Sequence, residues 1–329
     1  MGLISACDSS PQLAKDLETY QQRLSNVLSS PTPHFIPALL PAYPTLTSLG
    51  DDTPDILIKL HEFTDLQYCQ LATLIAQRNT TLGKLQLPST RFIYEKKLLY
   101  ALQTCIALSD EPALREKLQS WYAHKHDNLP FAWASMLQKS PEIKQALSRN
   151  ANFISGTEQD GLQTSLAALQ YLFKVQTSDD IDSTVLEEHW KTLGQDAFLA
   201  KLWRTQILLT QNLATTTKWL EGLNVTAYCQ AKTPPKKVDY LSNVFRMYFI
   251  EKIQPVATQI NYYHYQVSPI LDRFLTHAAL SDAFKHYISE QHQVGFHAYQ
   301  TTMQAHIHFW QTLFKVCDIS PTQLIATSA

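Results

Sequence analysis

Eight glycines in 329 residues set the tightest limit on what this chain can fold into. Ordinary usage of ~7% would supply roughly 23, so glycine is depleted about threefold. Tight hairpins, bulges and phosphate-cradling loops draw on glycine for positive φ, which disfavours a sheet-rich fold. No G-x-G-x-x-G, P-loop or G-x-S-x-G pattern occurs. Leu, Ala, Gln and Lys, all good helix formers, are abundant instead. The expected fold is all-α, a multi-helix bundle of antiparallel helices.

Charge narrows the partners. Lys and Arg total 27 against 29 for Asp and Glu, so the strong electrostatic term behind nucleic-acid binding is missing. A hydrophobic content of 45% suits a folded domain and not a disordered one. No apolar run reaches the ~20 residues of a membrane-spanning helix. Contact with a bilayer would be by an anchor.

Periodicity lays out the helices. Leu13, Leu17, Tyr20, Leu24 and Val27 or Leu28 recur at three- and four-residue spacing and give one apolar face. A proline-rich segment follows, with Pro31, Pro33, Pro37, Pro41 and Pro44; such density excludes regular helix and favours extended backbone. Phe35-Ile36, Leu39-Leu40 and Tyr43 should pack it against the helices. Long helices are expected over about 55–79 and 91–109 around a loop containing Gly83. Shorter ones follow over about 112–125, 129–138 and 141–148. The second half reads as helices over about 157–175, the acidic segment up to Gly194, 196–220, and 238–265 with Pro255 kinking or dividing it. A short helix from Ser268-Pro269 to His277 and a last one from Ser281 to Val316, bent at Gly295, complete the chain. Residues 11–329 read as a single helical domain, with 150–160 as the place for a seam if two exist.

Five cysteines are present: Cys7, Cys69, Cys105, Cys229 and Cys317. Ile4-Ser5-Ala6-Cys7 resembles a bacterial lipobox, which would make residues 1–10 the remnant of a lipoprotein signal with Cys7 as the lipid-bearing residue. Secretory signals carry roughly 7–15 apolar residues before the cut, and here only Leu3 and Ile4 precede it, so Met1 as the true start is the alternative. With Cys7 lipidated, four cysteines remain and can pair completely. Cys69 falls about ten residues before the Gly83 loop and Cys105 about fifteen after it, an offset of about 7 Å at the helical rise. Spacing therefore favours Cys69–Cys105 and Cys229–Cys317 among the three connectivities of four cysteines. In a cytosolic chain all five would stay free thiols.

The amino-terminal cysteine, Cys69-Gln70-Leu71, the run Arg78-Asn79-Thr80-Thr81-Leu82-Gly83-Lys84, Pro88-Ser89-Thr90-Arg91, Tyr94-Glu95, Cys105, His308-Phe309-Trp310-Gln311 and Cys317 together resemble uncharacterised gammaproteobacterial lipoproteins grouped as a domain of unknown function. The resemblance covers nearly the whole chain and implies a location but no activity.

Candidate chemistry is sparse. Of the twelve histidines, His286, His292, His297, His306 and His308 crowd the last helix, yet no two histidines of the chain lie three or four apart, as metal pairs on one helix face would. Tyr299, Met303, His306, Trp310, Leu313 and Cys317 instead form one stripe, extended backwards by His292 and Phe296, which reads as core. The densest polar cluster is Arg78, Asn79 and Lys84 with Ser89, Arg91 and Glu95. It offers cations and amides to a phosphate or carboxylate, or equally a helix end and the next helix start. The aromatics Phe245, Tyr248, Phe249, Tyr262, Tyr263 and Tyr265 read as core before groove.

No catalytic constellation, metal set or cofactor motif stands at recognisable spacing. The expected protein is a cell-envelope lipoprotein that binds or scaffolds, with an envelope protein or small ligand as partner. Asp8 after the cysteine resembles the signal for retention on the periplasmic face of the inner membrane. An envelope hydrolase with a site between helices and a cytosolic helical protein are the alternatives.

Overall fold

The computed structural model describes residues 12–50, 66, 68–80, 87–148, 152–157, 160–224, 227, 229 and 236–319. Helices dominate, and no strand occurs among these residues. In chain order they are α1 (Gln12–Leu28), α2 (Leu71–Arg78), α3 (Pro88–Leu108), α4 (Pro112–Lys139), α5 (Pro141–Ser148), α6 (Leu162–Thr177), α7 (Ser183–Asp196) and α8 (Phe198–Gly222). A last run comprises α9 (Lys236–Val244), α10 (Gln254–Thr276), α11 (Asp282–Ser289) and α12 (Gly295–Val316). Two π-helical segments, Phe245–Ile253 and Glu290–Val294, join α9 to α10 and α11 to α12.

Local chemistry explains the starts. Asp182 caps α7, accepting from the amides of Thr184 at 2.8 Å and Val185 at 3.3 Å, and Ser281 caps α11 by accepting from Phe284 N. Pro88 and Pro112 occupy first-turn positions, where the missing N–H is no loss. Each π segment ends on a residue that breaks ordinary helical register. Gln254 N–H bonds to Phe249 O just before Pro255, and Gly295 N–H bonds to Glu290 O. The extra residue of a π turn absorbs the change in register without ending the helix.

Two expected breaks are absent. α4 runs unbroken through Pro130, where separate helices over 112–125 and 129–138 were expected. α10 runs through Pro269, where a new helix was expected at Ser268-Pro269. An interior proline costs about 3 kcal/mol, but buried residues on both sides hold each helix straight on: Leu118 and Lys125 before Pro130, Trp133, Met136 and Leu137 after it, and Val267 and Ile270 around Pro269. Cys69 also differs from expectation, lying in the turn ahead of α2 and not inside a long helix. The part of that expected helix over 55–65 lies outside the described residues.

Most buried side chains form one continuous core around α8, which packs along α12. A second, smaller core joins Leu66, Leu71 and Ile75 to Leu98, Leu102, Cys105 and Leu118. The α3–α4 pair spans both: Phe92 and Trp133 lie in the large core, and Leu102 and Leu118 in the small one.

The proline-rich segment lies along the helices and is pinned by their side chains. Asn212, wholly buried, accepts from Ile36 N at 2.9 Å and donates to Ile36 O at 2.8 Å. Arg204 donates to Ala38 O, and Tyr43 donates to Gln138 O. Gln138 in turn donates to Leu49 O and accepts from Ser281. Ala38, Tyr43 and Leu49 are the buried anchors; Phe35, Ile36 and Leu40 are half-buried, and Leu39 faces solvent, against expectation.

Candidate functional site

The polar cluster read from sequence divides. Arg78 ends α2 and Asn79 is its C-terminal cap, donating to Ile75 O at 3.1 Å. Lys84 and Gly83 lie outside the described residues. Arg91 and Glu95 form an ion pair one turn apart on α3, and Lys125 of α4 reaches both oxygens of the same carboxylate, at 3.0 and 3.2 Å. Glu95 and Lys125 are each only 5% exposed, so this triad clamps α3 to α4. Ser89 turns away to donate to Glu187 on α7.

The cysteines pair as Cys69–Cys105 and Cys229–Cys317, with Cα separations of 5.7 and 4.9 Å. The first ties the turn before α2 to α3 inside the small core. The second ties residue 229, after α8, to the end of α12.

The stripe on α12 is buried from Tyr299 to Cys317, and His306 is its polar centre. Trp310 Nε1, which can only donate, lies 3.1 Å from His306 Nε2. That nitrogen is therefore an acceptor and the ring carries its proton on Nδ1. Tyr20 OH, 3.0 Å away, donates into the same Nε2. His306 Nδ1 then donates to Thr217 Oγ1 at 2.8 Å, and Thr217 donates onward to Leu213 O. Burial holds the imidazole far below its usual pKa, at about 3. It is a neutral tie between α1, α8 and α12.

His264 and His292, 28 residues apart, come together across α10 and the second π segment. Their rings stack at 4.7 Å, and Phe296 covers the other face of His264. His292 Nε2 faces Asp272 at 3.6 Å, and its buried Nδ1 has no hydrogen-bond partner. Burial, reinforced by His292, lowers His264 to about 4. Burial also lowers His292, against the opposing pull of Asp272. His286, His297 and His308 are exposed. No group of three or more His, Cys, Asp or Glu among the described residues could hold a metal.

The aromatic group splits between core and surface. Phe245, Phe249 and Tyr263 are buried, whereas Tyr262 is 48% and Tyr265 61% exposed. Tyr262 borders an open cavity of about 540 Å³ between α10 and the start of α6, with Thr157, Gln163, Thr164, Gln259 and Tyr263 around it. Asp160 fixes the loop beneath. Its carboxylate accepts from Ser155 N at 2.7 Å, Ser155 Oγ at 2.8 Å, Gly156 N at 2.8 Å and Tyr263 OH at 3.0 Å. Burial raises Tyr263 to about 12; a hydrogen bond from Gln259 opposes the shift and Asp160 adds to it. Gly156 and Gly161 have φ of +79° and +89°, and a Cβ on Gly161 would meet Asp196 at 2.8 Å. Sequence reasoning took 150–160 as the place for a seam and missed the site. The available signal was glycine itself: a chain with eight spends two of them within six residues.

Residues 17–321 match the family described as Protein of unknown function (DUF3080). The chain belongs to that family. No curated protein and no solved structure matches it. Membership fixes the fold's kinship and leaves activity to the geometry above, in which the Tyr262 cavity is one concave surface with converging hydrogen-bonding groups. Among the described residues, no helix of this DUF3080 protein is long and apolar enough to cross a membrane.

Proposed function

We propose that this DUF3080 protein is a cell-envelope lipoprotein, anchored through Cys7 to the periplasmic face of the inner membrane, which binds or scaffolds without catalysis. The observation that carries the reading is the cysteine pairing. Four of the five cysteines are used in two disulfides with each other, a pattern of oxidising compartments, and Cys7 is the one left over. The lipobox-like Ile4-Ser5-Ala6-Cys7 and the Asp8 after it supply the anchor and the sorting signal. A single acyl chain holds a protein only marginally, and bacterial lipoproteins carry several.

Binding is favoured over hydrolysis because the buried histidines are unsuited to proton transfer. His306 is sealed and its ring nitrogens are engaged. His292 is 3% exposed and covered by His264. The partner is an envelope protein or a small ligand at the Tyr262 cavity. Radiolabelled palmitate feeding of cells expressing the gene from its own locus, with membrane fractionation, tests the anchor. Label in the native protein, lost in Cys7→Ser, is expected; an Asp8→Ser variant should move to the outer membrane. Absence of label from the native protein overturns the reading.

A further inference from the structure

We propose that the cavity beside Tyr262 is a saccharide subsite, taking a neutral pyranose of a glycan chain. Its size, about 540 Å³, falls within the few hundred to ~1,000 Å³ of ligand sites, and its chemistry selects the class. The described lining residues carry no charged side chain: they are Tyr262 and Tyr263, two glutamines, two threonines, two glycines and Leu162. Leu162 is the one aliphatic wall, too little apolar surface for a lipid tail.

Among the described residues, the charges around the rim favour an ion of neither sign. Asp160 lies behind the Tyr263 hydroxyl and Asp196 beside Thr164, with Lys201 donating to Asp160 O at 3.4 Å, so an anionic ligand would meet two carboxylates against one ammonium. A cation gains little from them, because Asp160 already accepts four hydrogen bonds and Asp196 accepts from Thr164. What remains is a hydrogen-bonding, uncharged ligand with one apolar face. A pyranose has that form: axial C–H groups on one face for a tyrosine ring, and a girdle of hydroxyls for amides.

The site is also rigid on the side that would carry the sugar. Tyr263 shares its hydroxyl proton between Asp160 at 3.0 Å and Thr157 O at 3.2 Å. Tyr262 sits beside it with ring centroids 5.8 Å apart, half-exposed and lining the cavity. Gln163, on the exposed first turn of α6, stands opposite with its amide in solvent. Gly156 and Gly161 add no side chain of their own to the lining. Preorganisation of this kind spares the ordering penalty that weak polar ligands cannot overcome.

The inference rests on the binding reading and not on the anchor, so failure of the palmitate labelling leaves it standing. The test is calorimetric and NMR titration of the full folded chain with chitotetraose and cellotetraose, and with tetramethylammonium and inorganic phosphate as ionic probes. Binding of about millimolar affinity to at least one oligosaccharide is expected. Tyr262→Ala should weaken it about tenfold or more, and Tyr265→Ala, an exposed tyrosine outside the cavity, should leave it unchanged. Both positions are at the surface, and an unaltered urea midpoint verifies that each variant folds. No oligosaccharide binding, binding indifferent to Tyr262→Ala, or binding of an ionic probe alone would each overturn the proposal.

Discussion

Replacing His306 with leucine tests the reasoning about the core, because the same substitution has a stability effect and a pH effect that can be separated. At neutral pH, Tyr20 OH and Trp310 Nε1 lose their shared acceptor. Each buried donor left without a partner costs about 1–3 kcal/mol, while leucine fills the space of the ring and limits the cavity term. A loss of about 4 kcal/mol is expected at pH 7.5. Acid changes the difference in a predictable direction. The folded-state pKa of His306 is depressed to about 3 from the usual 6.5, so between these values the unfolded chain binds a proton that the folded one refuses. Its contribution is fully present above pH 6.5 and is lost as pH falls towards 3, at about 1.4 kcal/mol per unit. From pH 7.5 to 4.5 wild type should therefore lose about 2.7 kcal/mol that His306→Leu does not. The gap between the two proteins should close from about 4 to about 1.3 kcal/mol. His264 and His292 titrate in both proteins and cancel. Urea unfolding at four pH values, followed by tryptophan fluorescence, measures it. Parallel stability curves would refute the assignment of a buried neutral His306.

Other perturbations reach other parts of the molecule. Glu95→Gln removes the carboxylate that Arg91 and Lys125 share and should cost about 3 kcal/mol, with Glu95→Leu/Lys125→Met recovering most of it; urea midpoints decide, and no loss in the single variant would exclude the clamp. The Cys69–Cys105 and Cys229–Cys317 links span 36 and 88 residues, so chain entropy assigns each about 4–5 kcal/mol. Removing the first by Cys→Ser changes should raise hydrogen exchange in α2 while α8 and α12 stay protected, since the small core is separate; uniform deprotection would contradict that separation. Asn212→Ala breaks both hydrogen bonds to Ile36 and should cost about 2 kcal/mol, with faster proteolysis within residues 31–40; an unchanged cleavage rate would show the segment is held elsewhere.

The all-α class was legible because glycine scarcity and the apolar stripes of α1 and α12 are local facts. The start of the last helical run at Ser281 was equally readable, as its cap acts within three residues. Pro130 and Pro269 misled for the same reason. Their penalty is local and visible, whereas the burial of Trp133, Met136 and Ile270 that outweighs it comes from partners far along the chain. Pairing of His264 with His292 has no periodic signature, since it depends on how α10 crosses the second π segment. Tyr262 and Tyr263 are neighbours in sequence, and only packing reveals that both line the cavity, one buried and the other half-exposed. Cys69 with Cys105 was approached through hairpin spacing, although Cys69 lies in a turn and not in the helix that the spacing assumed.

The most direct test of the envelope-lipoprotein account is the intact mass of the protein purified from the membranes of cells expressing it from its own locus, before and after reduction. The account predicts a chain that begins at Cys7, carries a diacylglyceryl group on that sulfur and an acyl group on its amine, and gains the hydrogens of two disulfides on reduction. A chain recovered from the soluble fraction, beginning at Met1 with an unmodified Cys7, would contradict it.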